Sequence, residues 1–196
     1  ISDNNASKIM KLIDDRKIVL YQGILNNQER PLANYVKAIE KLGSNYAFVI
    51  MSNGENIYES IKSENYYFIP FVKPPLHLEI TSHAYIGVLS YYASKQHYSD
   101  LNAVYCAPNK IFEYSMFGIP MIGNDIPGLK YSFEHYNSGL CVDDLSVNNI
   151  CKSIEYIENN YDIMSKGSKK YYDSIDSKKE IVNILSIIRN RIRKDS

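Results

Sequence analysis

The segment Cys106-Ala-Pro-Asn-Lys-Ile-Phe-Glu-Tyr-Ser-Met-Phe-Gly-Ile-Pro-Met-Ile122 carries the densest chemistry in the chain. Pro108 is placed to open a helix, whose first N–H groups and positive dipole end would face an anion. Asn109 and Lys110 fall in that first turn. A Lys there works against the dipole, so an anion held between the two would explain it; a solvated surface Lys is the alternative. Glu113 follows Lys110 by three residues and projects from the same side of the helix. Ile111, Phe112, Met116 and Phe117 surround it, and a carboxylate among apolar neighbours needs hydrogen-bond donors. A vicinal diol, as on a ribose, offers two hydroxyl donors to one carboxylate. A salt bridge with Lys110, contributing ~0.2–0.5 kcal/mol at this spacing, is the competing reading.

Other candidates carry less. His77, His83, His97 and His135 are scattered without a consistent acidic or Cys partner spacing, so neither a metal site nor a catalytic triad is indicated. Ser52-Asn-Gly-Glu55 is turn-like and lacks both glycine-rich phosphate-loop patterns. Tyr66, Tyr67 and Phe68 suit a sheet core better than a base-stacking platform. Arg189-Asn-Arg-Ile-Arg-Lys194 is a basic end on an apolar helix, better read as a solvated terminus than as a contact for anionic lipid.

The elements that must position these residues follow from a hydrophobic period that switches repeatedly between strand and helix. Strands are expected at residues 17–22, 47–51, 66–70, 85–90, 120–123 and 140–142. Helices are expected at 31–42, with Pro31 at its first position and Gly43 as its stop, and at 57–61, 74–82 and 108–117. A short one follows near 131–136, then helices at 147–159 and about 178–193. Strands that are apolar throughout and separated by helices indicate a parallel sheet covered on both faces. The expectation is therefore an α/β fold, a doubly wound, mostly parallel six-stranded sheet of Rossmann-like type. Ligands of such sheets bind outside the carboxyl ends of the strands, which singles out residues 23–30, 52–55, 71–75, 90–107 and 123–130.

Pro108-Asn-Lys-Ile-Phe-Glu-Tyr-Ser-Met-Phe-Gly-Ile-Pro-Met-Ile-Gly-Asn-Asp-Ile-Pro-Gly128 resembles the donor-binding motif of the GT-B-fold glycosyltransferases, in particular the group 1 or family 4 enzymes. Leu20-Tyr-Gln-Gly-Ile-Leu25, with Arg30-Pro-Leu32 after it, is similar to the glycine loop of that family's C-terminal domain. The resemblance covers roughly residues 15–165. It implies that Glu113 receives the ribose hydroxyls of a nucleotide-sugar, that Gly23 lets the backbone approach diphosphate and sugar, and that Arg30 neutralises the diphosphate. Ser90 and Tyr91 are placed to line the sugar pocket, Asn109 and Lys110 to lie at the phosphates, and base recognition to fall near Phe71–Pro75. Many members carry a second glutamate where Tyr105 stands here, and an Arg where Ile24 stands. Lys110 is the candidate replacement for that cation.

On this resemblance residues 1–196 form a single donor-binding domain, its C-terminal helices at about 147–195, and the N-terminal acceptor domain lies outside the chain. The opening Ile1-Ser-Asp-Asn-Asn5, without a start Met or a signal-peptide pattern, suits a piece of a longer protein. The implied function is retaining transfer of a sugar from a nucleotide-diphosphate sugar in bacterial surface polysaccharide synthesis. No cofactor and no metal are implied, and turnover by this half alone is expected to be poor. The catalytic residue is unknown. A nucleotide-sugar epimerase on the same scaffold, or a catalytically inactive binding module, are the alternatives. Composition narrows the partners: 22 basic and 22 acidic side chains argue against broad attraction to nucleic acid or anionic lipid, and no apolar run approaches the ~18–20 residues that span a bilayer, so at most peripheral membrane contact is expected. The expected location is cytoplasmic, with room for contact at the inner membrane face. Three cysteines without a CxxC pair suit free thiols in a reducing compartment.

Overall fold

The computed structural model describes residues 1–25, 31–92, 101, 105 and 108–192. Six parallel strands form one sheet in the order β3-β2-β1-β4-β5-β6. They are β1 (Lys17–Gln22), β2 (Tyr46–Ser52), β3 (Tyr66–Pro70), β4 (Ala84–Leu89), β5 (Met121–Asn124) and β6 (Gly139–Val142). The helices are α1 (Asn4–Ile13), α2 (Ala33–Leu42), α3 (His77–Thr81), α4 (Asn109–Met116), α5 (Pro127–Tyr136), α6 (Val147–Asn159), α7 (Tyr161–Asp173) and α8 (Ser177–Ile192). The expected doubly wound α/β architecture is present.

Alternation along the central strands divides the core in two. Val19, Tyr21, Phe48, Ile50, Ile86 and Val88 face α2 and α6, where Tyr35, Val36, Ile39, Ile150, Ile154 and Ile157 meet them. Ile18, Leu20, Ala47, Val49 and Leu89 face the opposite layer, formed by Ile13 of α1, Ile80 of α3, Tyr114 of α4 and Phe133 of α5. A period of two buries both sets only if helices cover both faces. The chain runs outward from β1 to the edge strand β3 and then returns to the centre, laying β4 against the free side of β1. The crevice between β1 and β4 is thus the switch point where such sheets hold ligands.

Local departures from expectation have physical reasons. Residues 57–61 form turns rather than a helix; five residues are too few to repay helix nucleation, and the Asn56 side chain accepts from the N–H of Tyr58 at 3.2 Å. α3 starts only at His77, three residues after the start expected at Pro74. α5 starts at Pro127, earlier than the helix expected near 131–136, with Pro127 in its first turn, where a missing N–H costs nothing. α2 begins at Ala33, two residues after Pro31. α1 and α7 had no distinct counterpart in the periodicity.

α7 braces the helix that carries the motif. The Ser168 hydroxyl donates to the carbonyl of Ile119 at 2.8 Å. The Phe112 and Tyr171 rings stack with centroids 5.9 Å apart. α8 exposes Ile181, Val182, Ile184, Leu185, Ile187 and Ile188, and Arg189 near its end is exposed as well. Residues 193–194 of the basic terminus lie outside the described residues.

Candidate functional site

A cavity of about 270 Å³ opens at the carboxyl ends of β1 and β2. Gln22, Gly23 and Ile24 form its floor at the end of β1, and Asn109, Lys110 and Glu113 of α4 form one side. Phe71, Val72, Pro74 and His77 close the other. Met51, Ser52 and Asn53 complete the wall, so the 52–55 turn contributes as surface rather than as a phosphate loop.

Glu113 is the fixed point of this arrangement. Its Oε2 accepts from Gln22 Nε2 at 2.5 Å, and its Oε1 lies 3.2 Å from His77 Nε2. Behind Gln22, the Thr81 hydroxyl donates to Gln22 Oε1 at 2.6 Å. The donors that its apolar neighbours demanded are therefore supplied by two other segments. Each carboxylate oxygen retains acceptor capacity, and the side chain is 28% exposed where it meets the cavity.

Lys110 lies beside it with its stem across Gly23. Its Nζ is 4.3 Å from the centroid of the Tyr21 ring and 5.3 Å from that of Tyr91, a distance at which ring faces attract a cation. Gly23 has φ +125°, a conformation that L side chains rarely adopt, and its N–H donates to the carbonyl of Met51 at 3.0 Å. A Cβ there would lie 2.6 Å from Lys110 Cε. The backbone conformation calls for glycine, while the contact would be relieved by a shift of the flexible lysine end. Pro108 precedes α4 in extended conformation, and among the described residues no side-chain cap of the first turn is seen.

Tyr91 is held by Asn124, whose Oδ1 accepts from its N–H at 2.8 Å and whose Nδ2 donates to its carbonyl at 2.6 Å. This side chain extends the β4–β5 pairing one step past the strand ends. Ser90 is fully buried, and its hydroxyl has no partner among the described residues. Under α4, Tyr114 fills the space above Gly87 and donates to the carbonyl of Leu20 at 2.8 Å. Its burial pushes the phenol well above its ordinary pKa, so it remains a donor.

The structure thus gathers Gly23, Asn109, Lys110 and Glu113 around one cavity. Tyr91 lies next to it through Lys110, while Ser90 sits buried and does not line it. Arg30 lies outside the described residues. Ile24 is exposed on the cavity floor and Tyr105 is exposed to solvent. Gln22, His77 and Thr81 belong to the site and escaped the sequence reading. Among the described residues no cluster of His, Cys, Asp or Glu suited to a metal ion occurs, and no helix is long and apolar enough to cross a membrane.

By sequence, no protein-family model and no curated protein matches the chain significantly. By structure, likeness is extensive. Sucrose-phosphate synthase from Thermosynechococcus elongatus superposes with a TM-score of 0.70 at 14% identity, over 99% of this chain and 50% of that one. MnaA from S. aureus, solved with UDP, gives 0.66 at 19% identity, over 97% of this chain and 51% of that one. The chain therefore spans about half the length of these two. The C-terminal domain of a group 1 family glycosyl transferase, LpcC from Francisella tularensis, gives 0.56 at 13% identity, over 88% of this chain and 91% of the domain. The switch-point cavity, the sheet order and these superpositions agree on one architecture: the chain has the fold of the C-terminal domain of a GT-B glycosyltransferase.

Proposed function

We propose that this chain is the nucleotide-sugar-binding half of a two-domain glycosyltransferase, with Glu113 taking the ribose hydroxyls of the donor. The observation that carries the reading is the placement of Glu113: a carboxylate held from behind at the rim of a switch-point cavity, with Gly23 and Lys110 alongside. The diphosphate lies over Gly23, against Lys110 and the first turn of α4, where N–H groups and dipole favour an anion. The base enters between Phe71, Val72 and Pro74. That the structural neighbour MnaA was solved with UDP supports a nucleotide as the class of ligand.

In this reading the cation and the helix end stabilise charge that builds on the departing diphosphate, which is the electrostatic share of the catalysis. Transfer proceeds with retention of configuration. The acceptor and the remaining active-site groups come from a second domain, so the isolated chain binds donor and turns over poorly. The product belongs to a bacterial surface polysaccharide.

Calorimetric titration with UDP, GDP, ADP and their sugars tests the proposal. One diphosphate should bind, and Glu113→Ala should weaken it by about tenfold to a hundredfold, as for a hydrogen bond to a charged group. Saturation at roughly 100 times the dissociation constant should raise stability by ~2.7 kcal/mol. Absence of binding to all of them would remove the donor-domain reading. Conversion of a nucleotide-sugar without acceptor would replace transfer with epimerisation.

A further inference from the structure

Glu113 does not hold its own position: both of its oxygens are gripped by side chains tied to α3, a single turn of helix beside it. His77 and Thr81 are four residues apart and so share a face of that turn. His77 Nε2 lies 3.2 Å from Oε1 of Glu113. Thr81 is fully buried and Gln22 nearly so, and the hydroxyl of Thr81 lies 2.6 Å from Gln22 Oε1 but 3.1 Å from the carbonyl of His77. A hydroxyl has one proton to give, and the shorter contact takes it.

That proton holds the Gln22 amide in the facing that the Glu113 carboxylate needs. With Oε1 turned to Thr81, Nε2 is left to donate to Oε2 of Glu113 at 2.5 Å. The reverse orientation would set an amide oxygen against a carboxylate oxygen at the same separation, two acceptors with no proton between them. His77 is constrained in the same sense. Its Nδ1 is buried with no partner among the described residues, so an N–H there would be stranded, and the ring's proton is favoured on Nε2, where Glu113 accepts it.

We infer that Thr81, acting through Gln22, is a positioning residue that fixes the carboxylate of Glu113 for the donor's ribose, with His77 holding the second oxygen. This rests on the donor-binding reading. The carboxylate then presents its remaining lone pairs to the cavity in one orientation, and the ordering cost is met before the ligand arrives.

The test compares Thr81→Val and Thr81→Ser in this chain. The ligands are the tightest binder among UDP, GDP and ADP and its counterpart lacking both ribose hydroxyls. Wild type should prefer the ribose form. Thr81→Val, nearly isosteric, should bind the ribose form about tenfold more weakly and the deoxygenated form as wild type does; Thr81→Ser should restore the preference. Should Thr81→Val fail to fold, Gln22→Met removes the same relay and carries the same comparison. If Thr81→Val keeps the full preference, or weakens both ligands equally, the positioning role is overturned while donor binding stands. If wild type binds no diphosphate, or does not distinguish the two forms, the donor reading fails and takes this inference with it.

Discussion

The stem of Lys110 crosses Gly23 so closely that a single methyl group on the glycine would lie 2.6 Å from Lys110 Cε. The glycine's φ of +125° adds a second, separate penalty. Gly23→Ala should therefore destabilise the fold by ~1–3 kcal/mol and displace the lysine. Lys110→Ala should remove the contact part of that penalty and leave the backbone part. Urea midpoints for the two single variants and the double variant measure the difference; a coupling of at least ~0.5 kcal/mol is expected for residues in contact. Strict additivity would mean that the two do not touch in solution.

The roof of the core beneath α4 has no room to spare. A Cβ at Gly87 would approach the Tyr114 ring to 2.5 Å, and the Tyr114 hydroxyl is bonded to Leu20. Gly87→Ala should cost ~1–3 kcal/mol through overpacking. Tyr114→Phe should cost about 0.5–1.5 kcal/mol through the loss of that buried hydrogen bond. Thermal melts would reveal both, and a neutral Gly87→Ala would show that the ring is free to move.

Asn124 supplies both a donor and an acceptor to the backbone of Tyr91. Asn124→Asp keeps the shape and the acceptor but sets a carboxylate oxygen 2.6 Å from the Tyr91 carbonyl. A loss of ~1–3 kcal/mol is expected, with weaker donor binding as the Tyr91 ring leaves Lys110. Unchanged melting would mean that the segment after β4 is held by other contacts.

Burial, and next the nearby Asp125 carboxylate, push the Cys141 thiol up to about 12 from its ordinary 9.0. The thiolate is the reactive form, so at pH 8 only about one molecule in ten thousand is poised to react, from a pKa four units above the pH. Native protein treated with iodoacetamide at pH 8 should remain unmodified at Cys141, and urea should expose it; mass spectrometry distinguishes the sites. Because the folded state favours the protonated thiol, its contribution to stability is intact below pH 9.0 and declines as pH rises toward 12. Rapid native alkylation at Cys141 would contradict the burial.

Much of this was legible in the sequence for a definite reason. The strands are short apolar runs with helices between them, and a pattern repeated over the whole chain averages out local ambiguity. Gly23, Lys110 and Glu113 announced themselves through local misfit: a glycine ending a strand, a cation at the wrong helix end, an acid among apolar side chains. Gln22, His77 and Thr81 made no such signal. His77 was set aside for want of a nearby acidic partner, and its partner stands 36 positions away on another element. Gln22 read as the last residue of a strand, and its bond to Glu113 spans 91 positions. Periodicity reports neighbours along the chain, whereas these contacts exist only once β1 and β4 lie side by side.

The return from the edge strand β3 to the centre of the sheet also governs when the site comes into being. Gln22 belongs to the first half of the sheet, His77 and Thr81 to the return itself, and Glu113 to the second half. A half-assembled chain has no site, because the carboxylate and the groups that hold it meet only when both halves of the sheet are in place. Parallel strands joined by long crossovers are among the slower structures to form. A nucleotide bound as proposed would consequently stabilise the completed sheet alone, and not any partly assembled chain.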